Sequence, residues 1–349
     1  MNASTRLSPI ILCAALAACG SGDSELSLGE ERASPQEAAH TANMIEAIKV
    51  ISLQRYPTGT VARFNQSKTL GCFDARFTVA DDLPPSLQQG VFTSGAAYPA
   101  LLRFASATQP DDREKDFHGL SIKLFNTPGE SLWGEPAQQD FLLNSYPALF
   151  AANPEDFLDF IAATRDGQVW RYFINPAHFY SLAIVLKGRE KIDNPFAINY
   201  WSTTPYRFGN NPAAAVKYSV RPCAPPGLST VAKSHENFLG DVMQEQHRAE
   251  GACFDFLVQF QTDPETMPIE DASVIWDESA SPFIRVAGLQ IDQSANAETN
   301  TEHCEAMTFN PWQTLAEHRP LGGINRTRKP IYSEIGQFRN EQNRLRSAD

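Results

Sequence analysis

Positive charge is scarce in this chain of 349 residues: 29 Lys and Arg stand against 41 Asp and Glu, a formal charge of −12. Binding to DNA or RNA depends on neutralising phosphates with Lys and Arg, so a nucleic-acid partner is disfavoured. Long apolar runs are missing as well. No internal stretch approaches the roughly eighteen unbroken apolar residues of a membrane span. Cysteine is sparse, at 6 residues, and neither Cys-x-x-Cys nor His-Glu-x-x-His occurs. A zinc or thioredoxin-type site is therefore without support, and His303, Cys304 and His318 fit no tetrahedral zinc spacing. Repeats, low-complexity blocks and long linkers are also lacking. What the chain has in quantity is apolar surface: 42% hydrophobic residues and 22 Phe. That is too apolar for a disordered protein and too long for a disulfide-stapled miniprotein. A large core can form, in one big domain or two ordinary ones.

The first residues read as an address. Arg6 precedes a short apolar run, Leu7 to Leu16, and small residues follow. This is the plan of a secretory signal, too short to span a membrane. The run closes Leu16-Ala17-Ala18-Cys19-Gly20, which resembles the cleavage site of bacterial lipoproteins. The resemblance implies removal of residues 1–18, acylation of Cys19 and anchoring by more than one acyl chain. Gly20, rather than Asp, implies by the same resemblance an outer-membrane lipoprotein facing the periplasm. Residues 19–34 then form the acylated end and a polar, acidic tether, and 35–349 a single domain. Cys72, Cys223, Cys253 and Cys304 remain in an oxidising compartment, where one or two disulfides can form and three pairings stay open.

Ser34-Pro35-Gln36-Glu37 is a capping box with proline in the first helical position, predicting a helix to about Ile51. From Cys72 to Val79, apolar residues alternate with Asp74, Arg76 and Thr78, the period of a half-buried strand. Leu101–Ala105, Gly119–Phe125, Ala215–Arg221, Phe254–Gln261 and Phe283–Ile291 read as further strands. Asn153-Pro154 and Asn175-Pro176 open helices, the second running to about Lys187. His235–Glu250 reads as a polar helix and Tyr332–Arg346 as a closing one. Scattered strands with helices between and after them predict an α+β fold, one domain built around a β-barrel.

Three separated segments resemble the haem catalases, specifically their short core-only branch. They are Arg63-Phe64-Asn65-Gln66-Ser67-Lys68; Arg103-Phe104-Ala105 followed by Asp116-Phe117-His118-Gly119; and Arg328-Lys329-Pro330-Ile331-Tyr332 with Arg339 beyond. Between them, Asn144-Ser145-Tyr146-Pro147 and Phe157 keep the spacing of the family's distal segment. The likeness covers about Tyr56 to Arg339. It implies an antiparallel barrel of catalase type with surrounding and C-terminal helices, and haem of b type as cofactor. Tyr332 is implied as the iron ligand, the role tyrosine has in catalase. A neutral phenol ligates poorly, and free tyrosine keeps its proton to about pH 10. Arg328, four residues earlier on the same helix face, is implied to hydrogen-bond the phenolate and favour it. Arg63, Arg103 and Arg339 are implied to bind the two haem propionates, which need paired cations if buried. Phe157 is implied to stack on the porphyrin, and Asn144 to hydrogen-bond peroxide.

The chain departs from that pattern where the chemistry is done. The family's distal histidine is Gln66 here, and the serine that supports it is Ala105. An imidazole can shuttle the peroxide proton at neutral pH; a carboxamide can donate and accept hydrogen bonds but cannot act as a general base. His118 stands where the family has an arginine and reads as a partly buried loop histidine. The expectation is a catalase-like haem protein acting on hydrogen peroxide or organic hydroperoxides with weakened or altered activity. Its rival is a non-catalytic haem-binding or haem-free member of the same fold. Without room for the arms of full-length catalases, a monomer or dimer is expected.

Overall fold

The computed structural model describes residues 26–225, 227–295 and 301–347. Cys19 and the leader before it lie outside these residues. Helix α1 (Glu37–Arg55) comes first. It begins two residues later than Ser34-Pro35 implies and runs on to Arg55, because Ser34 Oγ accepts the Gln36 N–H in the entry turn instead of capping the helix. Strands β1 (Lys68–Val79), β2 (Ala97–Ser106), β3 (His118–Phe125) and β4 (Gln138–Asn144) follow. Helices α2 (Pro154–Arg165), α3 (Val169–Ile174) and α4 (Phe179–Gly188) lead to β5 (Tyr200–Trp201), β6 (Tyr206–Arg207) and β7 (Ala215–Pro222). Then come α5 (Phe238–Ala249), β8 (Ala252–Phe260), β9 (Ile284–Ile291), α6 (Thr301–Ala306) and α7 (Gly323–Arg346).

The strands are ordered β5-β4-β3-β2-β1-β9-β8-β7-β6, and β5 also pairs with β7. Eight strands thereby close into an antiparallel barrel, with β6 paired beside β7. Closure leaves the barrel no free sheet edge to protect. Alternation along each strand sends one set of side chains inward. Phe73, Phe77, Phe104, Phe141, Phe254 and Phe256 are all at most 1% exposed. Their rings interlock, Phe141 to Phe256 at 4.8 Å and Phe77 to Phe256 at 5.3 Å between centroids. Each such side chain contributes roughly 1.5–3 kcal/mol by leaving water. The interior is filled by this packing, so a ligand must be sought on the barrel's outer face.

Other elements depart from the sequence expectation as well. The closing helix starts at Gly323, nine residues before Tyr332, and carries Pro330 inside it. Strand β4 was not expected at all, since Gln138-Gln139-Asp140 interrupts its apolar pattern. Asp140 is buried because Lys123 Nζ, on β3, meets it at 2.6 Å. Of the three open cysteine pairings, the chain forms Cys72–Cys304 and Cys223–Cys253. The first ties α6 to the outside of β1 across a sequence separation of 232.

Candidate haem site

Residues directly opposite each other in an antiparallel ladder face the same way. Cys72 pairs with Arg103, Arg103 with Ser121, and Ser121 with Leu142. One row thus crosses β1 to β4 on the outer face. Its members Arg103, Ser121 and Leu142 form one wall of a cavity of about 360 Å³. Helix α7 supplies another wall through Ile331, Tyr332, Ile335 and Arg339. Ile48 of α1, the stretch Arg63 to Gln66, and Phe309 complete much of the rest. The volume falls in the range of small-molecule and cofactor pockets, and the plan is theirs too: apolar walls with a few convergent polar groups.

The three cationic groups on these walls are Arg63, Arg103 and Arg339. Arg103 donates to the Gln66 carbonyl (2.7 Å), to Thr69 Oγ1 (3.0 Å) and to Glu305 Oε1 (3.1 Å). Arg63 donates to the carbonyls of Cys304, Glu305 and Met307 at 2.8–3.2 Å. Its Nε lies 3.3 Å from Glu305 Oε2 but makes no aligned hydrogen bond. Among the described residues Arg339 makes one long bond, 3.5 Å to Asn340 Oδ1. Burial, with Arg103 beside it, brings Arg63 down to about 10, and burial lowers Arg103 and Arg339 too. Burial alone would raise Glu305; Arg63 and Arg103 outweigh it and hold this carboxyl below its ordinary value. Among the described residues three guanidiniums therefore share one carboxylate, leaving two positive charges over.

Gln66 sits at the turn entering β1 with φ at 55°, a left-handed conformation unusual for a residue with a side chain. Arg103 holds it there through the Gln66 carbonyl. The carboxamide lies flat on Gly119: a Cβ at that glycine would come within 2.3 Å of Gln66 Oε1. Oε1 is buried and has no hydrogen-bond partner among the described residues. Ala105, 1% exposed, pairs with the same Gly119, and so does Asn144 from the other side.

The structure thus brings Arg63, Gln66, Arg103, Tyr332 and Arg339 to one cavity. Arg328, Phe157 and Asn144 do not line it. Arg328 does not bond the Tyr332 oxygen as expected; Asn325 Oδ1, one turn earlier on α7, takes its guanidinium at 3.2 Å, with Thr204 Oγ1 at 3.4 Å. Phe157 packs in the apolar cluster with Phe64, Ile331 and Ile335, behind the wall those three form. Asn144 caps its own strand end, accepting the Ser145 N–H at 3.0 Å. His118 is not in a loop: it begins β3, fully buried, with Nδ1 3.4 Å from Ser106 Oγ. Glu305 and Thr69 were missed by sequence reasoning, and only the neighbouring Cys304 hinted that this segment is fixed in place.

A closed eight-strand antiparallel barrel with helices over its outer face places the chain in the catalase fold class. Solved structures agree. The chain is similar to a fungal catalase (TM-score 0.66, 16% identity, 82% of this chain and 60% of that one). It is similar as well to catalase A of Saccharomyces cerevisiae (0.66, 17%, 82% and 62%) and to a bacterial catalase (0.64, 15%, 82% and 58%). Among curated proteins it is similar to the allene oxide synthase-lipoxygenase protein of Plexaura homomalla. That match is 22% identical over 289 residues, or 75% of this chain and 26% of that protein. No protein-family model matches. The chain therefore spans less than two thirds of the length of each of these relatives, and the likeness shows the fold.

Proposed function

We propose that this chain is a haem-binding protein of catalase type that acts on hydrogen peroxide or an organic hydroperoxide, with slow or redirected chemistry. The observation that carries this reading is Tyr332 sharing one apolar-walled cavity with three arginines whose charge the described residues leave mostly unbalanced. The donor set fits a porphyrin. A phenol is the ligand type for the iron, and the surplus of two positive charges matches two propionates. Tyr332 would hold the metal, Arg63, Arg103 and Arg339 the acidic arms, and Ile48, Phe64, Phe309, Ile331 and Ile335 the apolar face. Bound haem would supply the redox chemistry of O–O cleavage.

The chain's own groups define what is slow. Cleaving a peroxide needs a proton taken from one oxygen and given to the other. No histidine lines the cavity. Gln66 can orient a peroxide through its carboxamide but cannot take its proton. Positioned acid–base help is typically worth on the order of 10²–10⁴ in rate. The same absence favours the second reading, a haem-binding or haem-free module without turnover. The similarity to an allene oxide synthase-lipoxygenase protein supports keeping organic hydroperoxides among the substrates. We further propose that Cys19 is acylated, that the domain faces the periplasm from the outer membrane, and that it works as a monomer or dimer.

An absorption spectrum of protein made with haem supply decides cofactor binding. A Soret band near the 400 nm region, typical of haem, is expected; its absence sinks the reading. Restoring the proton shuttle with Gln66→His and Ala105→Ser then separates the two versions. A gain in peroxide consumption of about 10²-fold or more marks a redirected enzyme; no gain with haem bound marks a binding module.

A further inference from the structure

We propose that Glu305 is a built-in competitor for the arginine site: its carboxylate fills the seat that Arg63 and Arg103 would give a ligand carboxylate, and the Cys72–Cys304 cross-link keeps it there. The inference rests on the carboxylate-binding reading of the cavity and adds the element that sets the site's affinity and charge preference.

The geometry is that of a bound ligand supplied by the chain itself. Glu305 takes Arg103 at 3.1 Å, lies 3.3 Å from Arg63 and accepts the Thr69 hydroxyl. These are charge-assisted contacts, the kind an incoming carboxylate would make. Arg63 meanwhile is spent on three carbonyls at the end of α6, which holds that helix against the site. The neighbouring Cys304 is bonded to Cys72, which sits directly opposite Arg103 in the β1–β2 ladder. Helix α6 is thereby fastened beside the guanidinium its Glu305 occupies. The two partners differ in freedom. The Arg103 side chain keeps 2% of its surface exposed and cannot follow a departing anion; Glu305 keeps 40% and can turn outward. Arg339, with one long bond, is the guanidinium left open for a first contact. A ligand with two carboxylates would meet Arg339 and then contend with Glu305 for Arg103. A ligand without carboxylates would not feel Glu305.

Glu305→Gln tests this. Calorimetry at pH 7 in low-salt buffer compares succinate binding to the two proteins, and fluorescence compares iron-free protoporphyrin IX with its dimethyl ester. The substitution is expected to tighten succinate and protoporphyrin by at least about tenfold and to leave the ester unchanged. Equal succinate affinity, including none detectable in either protein, overturns the inference, as does equal tightening of diacid and ester. A succinate difference with no porphyrin bound by either protein keeps the competitor and removes the haem reading. Porphyrin bound equally by both, with equal succinate affinity, does the reverse. A measurement on the unaltered chain guards against misfolding. Dithiothreitol, oxidised to its cyclic disulfide as the thiols of Cys72 and Cys304 form, should free α6 and tighten succinate in the same direction. In Glu305→Gln the reductant should add nothing; a gain of equal size there also overturns the proposal.

Discussion

Two arginine clusters lie along α7, and they are built in opposite senses. At the helix start, Arg319 and Arg326 stand among Glu31, Glu37 and Glu270. Arg326 is held by all three carboxylates at 2.7–2.9 Å. The backbone N–H groups of Gly322 and Gly323 also donate to Glu31 and Glu270, at the end where the helix dipole favours negative charge. Further along the helix, Arg63, Arg103 and Arg339 have Glu305 alone among the described residues. Burial acts against the charge of Arg326, but its carboxylates win and raise its affinity for the proton, whereas Arg63 is brought down. One cluster is finished by the chain and fastens residues 31–37 to α7. The other sets three guanidiniums around one carboxylate among the described residues.

The sharpest way to break this contrast is to remove the hub of the finished cluster. Arg326→Ala leaves three partly buried carboxylates facing one another, with Arg319 still paired to Glu31. Removing one partner of a buried ion pair typically costs about 3–5 kcal/mol, because the abandoned charge stays desolvated. Denaturant unfolding should show a loss of that order. If Arg326→Ala unfolds within about 1 kcal/mol of the parent, the cluster is no fastening.

How much of this could be read beforehand divides along the same line. Strand β1 was legible because Phe73, Ala75, Phe77 and Val79 alternate with Asp74, Arg76 and Thr78, the period of a half-buried strand. Arg103 was legible as a site residue because an arginine between Leu102 and Phe104 has to find a partner. Its place opposite Cys72 and Ser121 was not, since register is a property of pairing and leaves no mark on a single strand. Strand β4 was hidden by Gln139 and Asp140. Both are buried, satisfied by Thr314 and Lys123, which lie 175 and 17 residues away. Glu305 was out of reach for the same reason, at 202 residues from Arg103. The early part of α7 was concealed by Pro330, which reads as a stop yet sits inside the helix.

A second test takes the least supported member of the unfinished cluster. Arg339→Met removes a guanidinium with one 3.5 Å hydrogen bond and relieves its repulsion with Arg63 and Arg103. Folding stability should change by less than about 1 kcal/mol, far less than for Arg326→Ala. Binding of protoporphyrin or succinate should weaken by roughly tenfold, the worth of one charge-assisted hydrogen bond. A variant that loses stability without losing affinity would place Arg339 with the fastening residues instead.

The smallest effect, and the finest separation, comes from pH. Glu31 in the finished cluster and Glu305 in the unfinished one are both held below the ordinary glutamate value of 4.5. For each, stability is fully present above that value and drains away as pH falls through the lowered one, because the unfolded chain takes up the proton first. Their consequences for binding differ. Protonating Glu31 loosens the fastening and touches no ligand. Protonating Glu305 removes the carboxylate that fills the arginine seat, and an incoming anion favours that protonation by linkage. Sulfate keeps its two charges throughout this window and serves as the probe. Its affinity for the unaltered protein should rise about twofold between pH 6 and pH 4.5, while Glu305→Gln stays flat over the same interval. Calorimetry on both proteins, kept above the onset of acid unfolding, reads the difference. A rise of equal size in the two would trace it to the arginines and sulfate alone, and the two clusters would then differ only in charge count.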